Sequence, residues 1–99
     1  MYKRLTSETM AQIIKTTGEV IEAKPDNGTD FSLEELQAIV GGYIEVVSLR
    51  DGRLIVCDEE GKPKGKERNN KATDIFQAAL PTRDFIVGDA LVCDVDEIK

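Results

Sequence analysis

Apolar residues along this chain switch between a spacing of two and a spacing of three or four, and the switches mark its elements. The strongest signals lie in Phe31 to Asp58, FSLEELQAIVGGYIEVVSLRDGRLIVCD. Ser32 and Glu35 stand in capping-box spacing and Phe31 and Leu36 occupy the two staple positions, which starts a helix near Leu33. Leu33, Leu36, Ile39 and Val40 form one apolar stripe. Glu34, Glu35 and Gln37 face water, with the acids at the positive end of the helix dipole. Gly41-Gly42 stops the helix. Tyr43 to Leu49 is mostly β-branched or aromatic, Asp51-Gly52 is the dipeptide of a type I′ turn, and Arg53 to Asp58 returns as the second strand of a hairpin.

Upstream, residues 1–9 follow neither period and read as a leading tail, so the domain proper runs from 10 to 99. Ala11 to Lys15 and Glu19 to Ala23 read as a first hairpin joined at Thr17-Gly18, and Pro25 to Asp30 reads as a loop. Downstream, Glu59 to Thr73 is almost without apolar residues and reads as a long surface loop, functional or mobile. Thr73 caps a short helix from Asp74 to Leu80, with Ile75, Phe76, Ala79 and Leu80 as its stripe and Pro81 ending it. Phe85 to Val92 is apolar enough for a central strand, with Gly88 marking a bulge or a close approach. The acidic tail from Asp94 onward ends as an edge strand or frays. The pattern as a whole predicts an α+β fold. An antiparallel sheet of about five strands, two hairpins plus a C-terminal strand, carries one main helix and one short helix.

Ninety-nine residues allow one core. A net charge of −6, with a pI near 4.6, disfavours direct nucleic-acid binding and attachment to anionic membranes. No apolar run is long enough for a membrane span or forms a signal-peptide core. The expected location is the cytoplasm. Five per cent aromatic residues and no Trp argue against a base-stacking platform.

The residue inventory leaves little for catalysis. There is no histidine, and the two cysteines, Cys57 and Cys93, sit in apolar strand patterns that raise a thiol pKa. They read as buried, reduced, small apolar residues. Two thiols alone make no zinc site, and the acids follow no EF-hand spacing, so neither a metal nor a cofactor is expected. Adjacent acids such as Glu34-Glu35, Asp58-Glu59-Glu60 and Asp94/Asp96 read as solvated faces. The charge is segregated, however, since residues 62–71 carry +4 and the remainder −10. Lys62, Lys64, Lys66, Arg68 and the amide of Asn69, among flexible glycines, suit a clamp for phosphate or for an acidic surface.

Three stretches, GGYIEVV, DGRLIVCDEEGKPKG with the later NKAT, and IVGDALV, resemble a family of small uncharacterised domains. Its members are carried by phages, prophages and mobile elements of Gram-positive bacteria. The resemblance spans about Leu33 to Val95. It includes the E-x-L-Q-x-x-V-G-G-Y-I-E run at Glu34 to Glu45 and an N-E-E-G-K turn that here reads Asp58-Glu59-Glu60-Gly61-Lys62. Where the family has L-P-x-N this chain has Lys66-Glu67-Arg68-Asn69, and Asn69 is the counterpart of the family asparagine.

The resemblance implies an accessory protein of a mobile element acting in the bacterial host cell, with no catalytic residues to carry over. A non-enzymatic binder could serve counter-defence in two ways. It could sequester a small nucleotide signalling molecule, with Lys62, Lys64, Lys66, Arg68 and Asn69 on phosphates and Tyr43 stacked on a base. Alternatively, its acidic residues Glu34, Glu35, Glu59, Glu60, Asp94 and Asp96 could mimic nucleic acid or inhibit a basic host defence protein or nuclease. A structural or regulatory phage role is the third expectation. Open sheet edges also make a homo-oligomer a reasonable state.

Overall fold

The computed structural model describes residues 11–98; the leading tail expected over residues 1–9 lies outside them. In order along the chain come β1 (Gln12–Ile14), β2 (Val20–Glu22), α1 (Leu33–Val40), β3 (Ile44–Ser48), β4 (Arg53–Asp58), α2 (Asn70–Ala79) and β5 (Ala90–Asp94). The strands form one sheet in the order β2-β1-β5-β4-β3, antiparallel throughout. The fold is α+β.

Side chains alternate across a strand, and here both faces of the central strands are covered. Leu54 and Val56 of β4 and Leu91 and Cys93 of β5 pack with Leu36 and Val40 of α1. Ile55 and Cys57, with Ala90 and Val92, pack with Ala72 and Phe76 of α2 on the other face. A helix on each side explains why β4 and β5 read as unbroken apolar runs rather than as alternating ones. Both expected helices are present, one on each face, but the second, expected to be the short one, is the longer, with ten residues against eight.

Local signals around α1 operate as written in the sequence. Ser32 Oγ accepts from the Glu35 N–H at 3.2 Å, the Ser32 N–H donates to Glu35 Oε1 at 2.8 Å, and Phe31 and Leu36 are both buried in the same core. Gly41, at φ 78°, closes the helix with its N–H on Gln37 O.

Four expectations are corrected. The β3–β4 link is not a type I′ turn at Asp51-Gly52. Leu49 N–H donates to Arg53 O at 2.9 Å, so Arg50, Asp51 and Gly52 form a three-residue loop, with positive φ at Arg50 (66°) and Gly52 (91°) and not at Asp51. Asp51 is held instead by its own carboxylate, which accepts from the Arg53 N–H at 3.1 Å and from Arg53 Nε at 2.9 Å.

The second helix starts at Asn70, capped by Asn69, rather than at Asp74 with Thr73 as cap. Thr73 is buried inside the helix, where its hydroxyl accepts from the Ile86 N–H at 2.9 Å. That bond, and Asn69 N–H on Ile86 O at 2.8 Å, take up the backbone of Ile86. The third correction follows, because the Phe85 to Val92 run is a strand only from Ala90 onward.

Lastly, the acidic tail as far as Ile98 neither frays nor forms a regular edge strand. Val95–Glu97 is a 3-10 turn; Glu97 is fully buried and its carbonyl accepts from the Phe31 N–H at 2.7 Å. The tail thereby pins the start of α1.

Candidate functional site

The stretch expected to be a long loose loop is folded back on itself. After β4 the chain turns through Gly61 N–H on Asp58 O, Lys64 N–H on Glu60 O, and Lys66 N–H on Gly61 O, at 3.0, 3.1 and 3.0 Å. These turns deliver two lysines to one carboxylate. Lys64 Nζ lies 2.8 Å and Lys66 Nζ 2.7 Å from Asp58 Oδ2, and Asp58 Oδ1 accepts from the Glu60 N–H at 2.8 Å. The Asp58 side chain is wholly buried, so it is no solvated acid.

Burial opposes ionisation of Asp58. The bonds from Lys64, Lys66 and the Glu60 N–H outweigh it and hold the carboxyl at about 2. The same pairing raises the Lys64 ammonium above its ordinary value.

The clasp also completes α1, whose last turn contains no basic residue. Lys66 Nζ donates to Val40 O at 2.7 Å and Lys64 Nζ to Gly41 O at 3.4 Å. Terminal carbonyls left without intrahelical partners thus meet two ammonium groups at the negative end of the dipole. Gly42 is required by packing here. A Cβ on it would come within 2.6 Å of Lys64 Nζ and 2.8 Å of both Asp58 carboxylate oxygens.

The six residues expected to form an anion clamp part company. Tyr43, 66% exposed, and Lys64 line an open cleft of about 240 Å3 with Gln37, Gly42 and Glu60. Lys66 lines a second, open hollow of about 390 Å3 formed with Ile39, Gly88 and Asp89 among its neighbours. Lys62 and Arg68 lie over the Phe85 ring, 4.3 and 5.3 Å from its centroid, and Lys62 is paired with Asp84.

Asn69 is 0% exposed and fully used, so its assignment to a ligand is corrected. Its Oδ1 accepts from the Ala72 N–H at 3.0 Å, and its Nδ2 donates to Ile14 O at 2.8 Å and Gly88 O at 2.9 Å. It ties α2 to β1 and to the approach to β5.

The acidic set also divides. Glu34 and Glu35 lie in the first turn of α1, and Asp94 and Asp96 lie in the tail that pins it. Glu35 is committed to the cap through the Ser32 N–H and also takes the Asp26 N–H at 2.8 Å. Glu59 and Glu60 belong to the opposite end, where the Glu59 N–H bonds Tyr43 O at 2.8 Å.

Cys57 and Cys93 are free and buried on opposite faces of the sheet. Burial pushes their thiols up to about 11 and about 12. Cys57 floors a small cavity of about 80 Å3 near Glu45, Lys62, Asp84 and Phe85. Among the described residues, no group of three His, Cys, Asp or Glu could hold a metal ion, and no helix is long and apolar enough to cross a membrane.

Sequence reasoning missed Asp58 as an anchor. The available signal was an acid ending an apolar strand, with lysines six and eight residues on. Gln37 of the cleft carried no such signal.

Together these features define a histidine-free α+β domain with a helix on each face of its sheet and a lysine-clasped carboxylate beneath an open cleft. The chain belongs to the DUF3846 family, a domain of unknown function whose pattern matches residues 5–99. No curated protein and no solved structure matches it.

Proposed function

We propose that this domain is a non-enzymatic binding protein of a phage or mobile element of Gram-positive bacteria, acting in the host cytoplasm to sequester a small nucleotide-like signalling molecule. The origin rests on the family resemblance. The observation that supports the binding reading is the cleft in which Tyr43 and Lys64, twenty-one residues apart in sequence, stand together with Gln37, Gly42 and Glu60. An exposed phenol ring offers a stacking face. An ammonium fixed by Asp58 and Gly41 O still has a third donor to give. Because Glu60 and Asp58 offset the lysines, the cleft suits a ligand held by stacking and hydrogen bonds more than a polyphosphate.

Native mass spectrometry against a panel of cyclic and ADP-ribose-type nucleotides tests this. The expected result is one retained ligand, lost on Tyr43→Ala and on Lys64→Ala and kept on Arg68→Ala. Silence across the panel would sink the reading.

A second reading, inhibition of a basic host protein, draws support from the internal pairing of Lys62, Lys64 and Lys66, which leaves the excess negative charge on the surface. Capture of a defined host nuclease at low salt, lost on Glu34→Lys, is its test.

A further inference from the structure

The two edges of the sheet are not alike. β2 is three residues long, includes Glu22 and runs on into Lys24 and Pro25, all features that discourage pairing with another chain. β3 is five residues long and, although it too holds one acid, Glu45, it contains no lysine, proline or bulge. Its ladder to β4 is fixed at both ends, by Glu59 N–H on Tyr43 O and by Leu49 N–H on Arg53 O. Antiparallel pairs alternate, so the backbone groups of Tyr43, Glu45, Val47 and Leu49 turn toward β4 and those of Ile44, Val46 and Ser48 turn away. Among the described residues, no strand takes them. Val46 is 45% exposed although its neighbours on β4 are buried.

We propose that β3 pairs antiparallel with β3 of a second copy of this chain, about a twofold axis at Val46. In that register Val46 meets Val46, Ile44 meets Ser48, and every outward N–H and C=O of the strand gains a partner. Side chains keep to their own faces only when paired positions have the same parity. Centring on Glu45 would oppose two acids, and centring on Val47 would pair Ile44 with Arg50, whose φ of 66° takes it out of the strand. Centring on Val46 sets Glu45 opposite Val47.

Charge complements the backbone. At the ends of the paired strands the partner's Arg50, exposed on its turn, comes level with Gly42, and its long side chain reaches across toward Glu60, which shares the cleft with Gly42. Lys64, already paired with Asp58, offers little repulsion there. If that cleft is the ligand site proposed above, each copy places a guanidinium at the mouth of the other's site. The pairing itself is independent of that reading.

Sedimentation equilibrium of the full chain without nucleotide tests it. The expected mass is twice the 10.9 kDa of one chain. Val46→Pro removes an outward donor not used inside the fold, and Val46→Lys sets two like charges face to face; circular dichroism verifies that both remain folded. Both are expected to be monomers. Val46→Cys is expected to crosslink on mild oxidation, since Cα atoms of a hydrogen-bonded pair lie about 5.5 Å apart. Arg50→Glu is expected to weaken the dimer about tenfold and Arg50→Glu with Glu60→Arg to restore it. A monomeric wild type at all concentrations, or a dimer that survives both folded Val46 variants, would overturn the pairing. An unchanged dimer constant in Arg50→Glu would overturn the ionic contact.

Discussion

Lys66 Nζ sits 2.7 Å from the buried carboxylate of Asp58 and 2.7 Å from the carbonyl of Val40, so one ammonium joins the end of β4 to the end of α1. Everything near the cleft depends on this junction, including the position of Gly42 and the direction of Lys64.

Removal of Asp58 is expected to destabilise the domain in a pH-dependent way. Its folded-state value of about 2 lies below the ordinary 3.8, so its stabilisation is complete above about pH 4 and is lost as pH falls toward 2. Asp51 and Asp84, lowered by hydrogen bonds from Arg53 and Lys62, act in the same direction. Asp58→Ala is expected to cost about 1–3 kcal/mol at pH 7, less than a fully buried pair because both lysines keep contact with water. Urea unfolding from pH 7 to pH 2.5 measures this, and the variant's acid limb should be flatter than that of the wild type.

Gly42→Ala should disturb the same junction from the other side. The new methyl cannot share space with Lys64 Nζ at 2.6 Å and the Asp58 oxygens at 2.8 Å. Lys64 can swing away, but the buried carboxylate cannot. A loss of about 1–3 kcal/mol is expected, with a change in the chemical shifts of Tyr43 and Lys64 in NMR spectra. A variant as stable as wild type with unshifted signals would contradict the packing described.

Asn69 is expected to behave as a structural residue. Asn69→Ala removes a buried side-chain donor from Ile14 O and from Gly88 O and takes the cap from α2, a loss of about 2–4 kcal/mol in urea unfolding. Asn69→Asp keeps the cap acceptor but turns an oxygen on two carbonyls, so it should not rescue.

The two thiols should be silent in the native state. With values near 11 and 12, neither supplies appreciable thiolate at pH 8, and both are buried. A disulfide-exchange reagent at pH 8 is expected to label the native protein only at the pace of unfolding and to label both cysteines at once in guanidinium. Rapid labelling of Cys57 without unfolding would mean that the small cavity above it opens.

The sequence by itself determined α1 and its caps, because a capping box, a staple and a glycine stop act within a few residues of one another. It also determined the α+β class and the burial of both cysteines, which follow from periodicity. It could not decide the start of α2: Asn69 works as a cap only because Ile14 and Gly88, 55 and 19 residues away, take its amide protons. Nor could it decide the fate of the basic run. Lysines that look available along the chain are drawn onto Asp58 and Asp84 once the turns after β4 close; Asp58, cut off from water, needs its two ammonium partners, while exposed Asp84 pairs with Lys62 at the surface. Charge read along a chain is a matter of counting, whereas charge available to a partner depends on which pairs the tertiary fold has already made.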